Sequence, residues 1–311
     1  MFTAEIKLLI LAIILMIAVA CTLQSEVIKG AQAADGLPAQ RGIVQDDRID
    51  EASGMVASRR NPGWLWIHND SGDPPRLFAV STNGDSLGVV RLRGIRARDW
   101  EDIAIGPGPI EGRSYIYIGD IGDNAGVAGQ VAVYRFLEPD SSDFPTNRPL
   151  IITDFDRLRF VYPKGPRDCE TLMVDPQTGD IFILSKRKWP TEVYRAKAPH
   201  TGDAIRTLEE VAKINVVGIS AGDISPDGRH LVIKSGWSIL HWYRPEGTSI
   251  ASLFESLPDT LPYVREPQGE ALALDPLMTG YYTVSEEVQG SVAAISYYPF
   301  RPDFLKASAK P

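Results

Sequence analysis

Cysteine is nearly absent: Cys21 and Cys169 are the two in 311 residues, too few for a disulfide framework. Cys169 stands beside Glu170 ahead of an apolar alternation and reads as a small buried hydrophobe rather than a nucleophile. Histidine is scarce too. His68, His200, His230 and His241 lack metal-ligand spacing, which argues against zinc. Positive charge is in deficit, with 32 Lys and Arg against 40 Asp and Glu and a net charge of −8, so no basic footprint for nucleic acid exists. Gly-x-Ser-x-Gly, Ser-x-x-Lys and phosphate-cradling glycine loops are missing. So are long amphipathic helices; Thr207 to Ala212 is the best helical stretch.

One long apolar run exists, Leu8 to Ala20 after Lys7, short for a membrane span and the size of a secretory h-region. Residues 1–20 are expected to be a signal peptide or lipoprotein leader, making the protein exported: periplasmic, extracellular or lipid-anchored. Two processing sites stay open: a loose lipobox at Ala18-Val-Ala-Cys21 that would acylate Cys21, and small-residue cleavage after Ala31-Gln-Ala33. An uncleaved anchor is the third option. Membrane contact is expected only through that leader or a lipid on Cys21. Residues 21–40 read as a flexible tether, 41–300 as one folded domain and 301–311 as a tail.

What the domain does have is a repeat. Asp-Trp-Glu-Asp-Ile-Ala-Ile-Gly-Pro at 99–107 returns as Asp-Cys-Glu-Thr-Leu-Met-Val-Asp-Pro at 168–176 and Gln-Gly-Glu-Ala-Leu-Ala-Leu-Asp-Pro at 268–276, with weaker copies near Glu51 and Ser220. Each copy opens a run of short strand patterns separated by Asn-Gly, Ser-Gly-Asp and similar turns. Four strands in about 40 to 50 residues is the signature of a β-propeller blade. The all-β chain reads as five four-stranded blades, with six as the alternative if Glu138 to Pro149 is a degenerate blade rather than an insertion. The fifth blade is one strand short, and Gly42 to Asp46 is expected to supply that strand and close the ring.

In a propeller the start of each innermost strand and the loop after each second strand share one rim around the channel, which is the default place for a site. Glu51, Glu101, Glu170 and Glu270 are expected there. Four such carboxylates about 7 Å apart would repel by about 2 kcal/mol per pair, so something must offset them. One answer is structural, because Arg48, Arg98 and Arg167 each stand three residues before a repeated Glu, giving the pairs Arg48–Glu51, Arg98–Glu101 and Arg167–Glu170. The other is a hard cation such as Ca2+, held by Asp70, Asp73, Glu101, Asp120, Asp123, Asn124, Glu170 and Glu270, with the Gly-broken, oxygen-rich segments 69–73 and 120–124 as its loops or, equally, as plain tight turns. His68, Asn69, Lys186, Lys234 and Glu286 complete the rim as candidate ligand contacts.

Taken together, Asn-Asp-Ser-Gly, Asp-Trp-Glu-Asp-Ile-Ala, Gly-Asp-Ile-Gly-Asp-Asn, Ile-Ser-Pro-Asp-Gly and Gln-Gly-Glu-Ala resemble a set of secreted bacterial β-propeller proteins of mostly unassigned function, over residues 42 to 298. The likeness extends distantly to the gluconolactonase and paraoxonase type of propeller. That resemblance implies a channel cation polarising an ester or lactone carbonyl. The functional expectation is therefore an exported propeller that binds a small molecule or an extracytoplasmic protein on an acidic rim, with Ca2+ as one means. The alternative is a metal-dependent hydrolase of esters, lactones or phosphoesters, in which Asp70, Asp120 or Asp123 helps hold a Lewis-acid cation.

Overall fold

The structure, a computed structural model, describes residues 37–288 and 292–301. The expected leader, both processing sites with Cys21, and most of the tether and tail lie outside the described residues. Among the described residues no helix is long and apolar enough to cross a membrane.

Five antiparallel sheets form in succession along the chain. Blade 1 holds β2 (Ala52–Ala57), β3 (Trp64–Asn69), β4 (Arg76–Ser81) and β5 (Ser86–Leu92). Blade 2 holds β6 (Trp100–Pro107), β7 (Ser114–Asp120), β8 (Val131–Leu137) and, after an excursion through β9 (Leu150–Ile152), β10 (Asp156–Val161). Blade 3 holds β11 (Cys169–Val174), β12 (Ile181–Ser185), β13 (Thr191–Ala196) and, after β14 (Ile205–Thr207), β15 (Glu209–Ile214). Blade 4 holds β16 (Ile219–Ile224), β17 (His230–Ser235), β18 (Ile239–Tyr243) and β19 (Asp259–Leu261). Blade 5 holds β20 (Ala271–Leu274), β21 (Gly280–Val284) and β22 (Ala294–Pro299), and is completed by β1 (Gln40–Ile43) antiparallel to β22. The arrangement is a five-bladed β-propeller, and its closing strand starts two residues earlier than the sequence suggests.

Alternation along each strand sends successive side chains to opposite faces of a blade, so the apolar residues collect between blades. Five clusters result, one per junction. Val56, Trp66 and Leu77 meet Ile103, Ile105 and Ile116 between blades 1 and 2, and Ala52, Met55 and Ile67 meet Ala271, Ala273 and Val284 where blade 5 closes on blade 1. Full burial of such side chains is worth about 1.5–3 kcal/mol each, which makes the junctions, not the sheets alone, the source of stability.

The links between third and fourth strands follow one rule: each reaches back to cover the outer strand of the preceding blade. β9 pairs in parallel with β5, and β14 in parallel with β10. In blade 4 the link forms α1 (Ile250–Leu253), capped by Ser249, and its Ile250 and Leu253 pack into the junction of blades 3 and 4. In blade 1 the Asn83-Gly84 turn lies against β1, where Gln45 N donates to Gly84 O at 2.9 Å and a Cβ on Gly84 (φ +96) would fall 2.0 Å from Ile43 O. Sheet edges are covered in this way rather than left open to pairing.

Two local expectations change, and a third is kept against its alternative. Residues 207–212 are not helix: Thr207 ends β14 and Glu209 opens β15, which pairs with β13, and Arg195 Nη2 meets Glu209 Oε2 across it at 2.5 Å. Residues 250–253, whose apolar pattern in the sequence suits the fourth strand of blade 4, are helix, and that strand is β19. The stretch 138–149 is an insertion with a short 3-10 turn at Ser141–Asp143 that leads into β9, not a sixth blade.

Candidate cation site at the channel mouth

The registers of the innermost strands slip at Ser53, Glu101, Glu170 and Ser220. Matching Ala271↔Val284 with Thr171↔Leu184 puts Glu270 at the same place in blade 5. A β-bulge re-aims the extra residue, and here it turns one side chain per blade toward the channel: Ser53, Glu101, Glu170, Ser220 and Glu270. Glu51 is not in this ring. It stands two residues earlier, in step with Asp99 and Asp168, and is exposed. A two-residue slip preserves the period of a strand, so the apolar pattern alone does not reveal it. A second ring follows the second strands, where Asp70, Lys186 and Glu286 occupy equivalent positions after Asn69, Ser185 and Ser285.

With Asp99 and Asp168, these rings bring seven carboxylates together. Carboxylate oxygens of Asp70, Asp99 and Glu101 lie within 4.8 Å of one another; the same holds for Asp70, Glu270 and Glu286, and for Glu101, Asp168 and Glu170. Lys186 Nζ donates to Glu170 and, at 3.0 Å, to Glu270. Arg187 Nε meets Asp168 Oδ2 at 2.5 Å. Among the described residues no Lys, Arg or His forms an ion pair with Asp70, Asp99 or Glu101. The loop after β7 lies directly on two of these acids: a Cβ on Gly122 would stand 1.9 Å from Glu101 Oε1 and 2.6 Å from Asp99 Cγ, so only glycine fits.

The electrostatics record the crowding. Burial first, then the neighbouring Glu170, Asp70 and Asp99, pushes the Glu101 carboxyl well above the carboxylate range. Glu170 is raised chiefly by burial, against the pull of Lys186. Burial and then Asp70 hold Asp99 at about 6, and burial and then Glu270 hold Glu286 at about 7. Asp70 is raised as well, mainly by burial. A cation placed among these groups would reverse every one of these shifts.

Several expected contributors lie elsewhere. Asp73 forms a two-pronged pair with Arg76 at 2.5 and 2.7 Å. Asp123 closes its own loop on Val127 N and Ala128 N at 3.0 and 2.8 Å, and Asn124 accepts from Arg187. Asp120 accepts from Asp99 N at 3.0 Å, which makes it a support for the site. His68 and Lys234 are wholly buried. Burial lowers His68 to about 4, its ring edge-on to Trp100 at 5.8 Å. Lys234 Nζ donates to Gly269 O and stands 3.8 Å from Glu266, burial lowering it to about 8. Neither is on the rim, because second strands are sandwiched between blades. Asn69 is buried too and donates to Arg48 O at 2.7 Å.

The three arginines do not reach the glutamates assigned to them. Arg48 pairs with Asp46 at 2.6 Å, Arg98 donates to Gly122 O at 2.7 Å beside Asp120, and Arg167 pairs with Glu192 at 2.6 Å. Three residues of extended chain span about 10 Å, and the bulge turns Glu101 and Glu170 inward, away from the preceding Arg. Asp99 and Asp168 are the contributors that the sequence reading passed over. Their signal was the repeated Arg-Asp-x-Glu, in which the Asp and not the Arg joins the Glu.

The chain matches no protein-family model and no curated protein. Among solved structures it is similar to the PQQ-bound aldose sugar dehydrogenase of Streptomyces coelicolor, at 12% identity over 85% of this chain and 96% of that one, with a TM-score of 0.43. It is similar to an auxiliary nutrient-binding protein of Bacteroides thetaiotaomicron at 10% identity, 85% and 75% coverage and a TM-score of 0.45. The WD40 repeats of RRP9 follow at 12% identity, 79% and 67% coverage and a TM-score of 0.37. Likeness at this level concerns the fold and says nothing of chemistry.

Proposed function

We propose that the protein binds a divalent cation, Ca2+, at Asp70, Asp99 and Glu101, and beside it a ligand at the channel mouth. One observation carries this reading: three carboxylate oxygens from two neighbouring blades lie within 4.8 Å of one another, and among the described residues no Lys, Arg or His forms an ion pair with them. An all-oxygen donor set selects a hard cation over zinc or copper. The outward compartment expected from residues 1–20 is one where Ca2+ sites of modest affinity are filled. The gluconolactonase and paraoxonase likeness supports the same kind of ion. Hydrolysis of esters, lactones or phosphoesters, the alternative, needs that ion as Lewis acid and stands or falls with it.

The test is a calorimetric Ca2+ titration of the protein, wild type against Asp70→Asn and Asp99→Asn. One saturable ion with a rise in Tm is expected for the wild type, and loss of both in the variants. Absence of heat and of any melting shift in the wild type removes the ion and the hydrolase together. If the ion binds, an ester, lactone and phosphoester panel with and without Ca2+ decides on catalysis.

A further inference from the structure

The two sides of the mouth differ in character. The three carboxylate groups draw one residue from blade 1, two each from blades 2, 3 and 5, and none from blade 4. Across from them, Trp189 in the β12–β13 loop, Val217 ahead of β16, Trp237 in the β17–β18 turn and Val264 ahead of β20 stand exposed on the same rim, the tryptophans at 70% and 72%. The matching loops of blades 1 and 2 expose only Val127 among large apolar side chains, and that of blade 5 exposes Val292.

Two of the protein's own cations already use this surface. The Lys186 ammonium sits between Glu170 and Glu270, and the Arg265 guanidinium lies over the Trp237 ring, 3.7 Å from its centroid. Organic cations are what carboxylates and an aromatic face recognise together. Independently of charge, the blade 4 member of the inward ring, Ser220, is 4% exposed, and its Oγ has no hydrogen-bond partner. It follows Glu170 and precedes Glu270 on the ring, beside the Lys186 bridge, and offers an acceptor to an ammonium that reaches along the ring from Glu270.

We propose that the ligand of this mouth is a linear polyamine. One ammonium sits among Asp70, Glu270 and Glu286, with the Ser220 hydroxyl further along the ring, and the methylene chain crosses the apolar lip at Trp237 and Val264. The charge count fits a multiply charged ligand. Seven mouth carboxylates (Asp70, Asp99, Glu101, Asp168, Glu170, Glu270, Glu286) face Lys186 and Arg187, a formal excess of five once all are ionised, the state a bound cation favours, and a Ca2+ ion leaves three. The inference rests on the reading of the mouth as a cation-binding site, and deepens it by naming the class of ligand.

Spermidine, titrated calorimetrically into the Ca2+-saturated protein and into the metal-free protein, tests it. Saturable binding is expected in both, weakening with salt. Trp237→Ala should lower spermidine affinity about tenfold with Ca2+ affinity unchanged, and Glu286→Gln should lower it further in a protein whose melting curve shows it folded. Equal spermidine affinity in Trp237→Ala and wild type would overturn the proposal, since charge alone would then explain binding. If Ca2+ binds and spermidine does not, the polyamine is wrong and the ion reading survives; if neither binds, both fall. A lysine-rich peptide run alongside separates the sources of an alkylammonium: its binding where spermidine fails overturns the proposal in favour of a protein partner.

Discussion

The channel holds two kinds of acid, one wholly buried and one buried or half-buried at its mouth, and they do opposite work. Deep in it, Asp102 Oδ1 accepts from Ile103 N at 2.8 Å, while Oδ2 accepts from Leu172 N at 2.9 Å and Gly222 N at 3.4 Å, so one carboxyl ties blades 2, 3 and 4. Asp223 repeats the device with Ile224 N at 2.7 Å and Leu274 N at 2.8 Å, joining blade 4 to blade 5. Innermost strands have an unpaired edge toward the channel, and buried N–H groups there need acceptors. At the mouth, Asp70, Asp99, Glu101 and Glu286 face mainly one another. The deep acids meet backbone donors and hold the ring together; the mouth acids meet like charge and strain it. Strain kept at a rim, where a ligand can relieve it, is a mark of a site rather than of a scaffold.

The largest expected effect separates the two kinds. Asp102→Ala leaves three inward N–H groups without their acceptor and should cost about 3 kcal/mol or more, read as a shift in denaturant midpoint. Glu101→Gln, one bulge away, should keep stability or raise it by about 1 kcal/mol in metal-free buffer while lowering Ca2+ affinity more than about tenfold. If the two variants lose stability equally, the distinction between deep and mouth acids is wrong.

An intermediate effect is a pH profile with a sign. Asp99 and Glu286, held at about 6 and about 7, bind their protons more tightly folded than unfolded. Their contribution is full below the ordinary carboxylate range and is lost as pH rises through these values. The buried histidines run the other way: His68, His200, His230 and His241 are all lowered, chiefly by burial, so their contribution is present above about pH 6.5 and is lost below it. Metal-free protein should therefore have its highest Tm near pH 6.5 and lose a few degrees by about pH 7.5. Ca2+ should flatten the alkaline side alone, and Glu286→Gln should do so in part. A metal-free Tm that is level or rising across that interval would count against a strained mouth.

Much of this was legible in the sequence, for physical reasons that also explain what was not. Turn residues and period-2 alternation give the strands, their repeat gives the blades, and the missing strand of blade 5 points to the N-terminal segment. Glu101, Glu170, Glu270 and Asp70 could be placed on one rim from the repeat alone. Glu51 could not be told from a ring member, since a slip of two leaves the alternation intact. His68 and Lys234 were read as rim residues because polarity along a second strand does not say that both of its faces are closed by neighbouring blades. Residues 250–253 carry an apolar pattern too short to distinguish helix from strand; the outer strand they cover decides it.

The smallest effect bears on the arginines. The Arg98 side chain is 41% exposed and 3.5 Å from Asp120, and it holds Gly122 O at 2.7 Å, keeping the glycine loop over Asp99 and Glu101. An exposed pair of this kind is worth about 0–1 kcal/mol, so Arg98→Ala should shift the denaturant midpoint little. Its loop contact predicts a separate consequence, a loss of Ca2+ affinity of about threefold, because the loop that crowds the carboxylates is no longer pinned. A stability loss as large as that of Asp102→Ala would instead restore the arginines as the elements that join the blades, and would move the origin of the ring's cohesion from the channel to its rim.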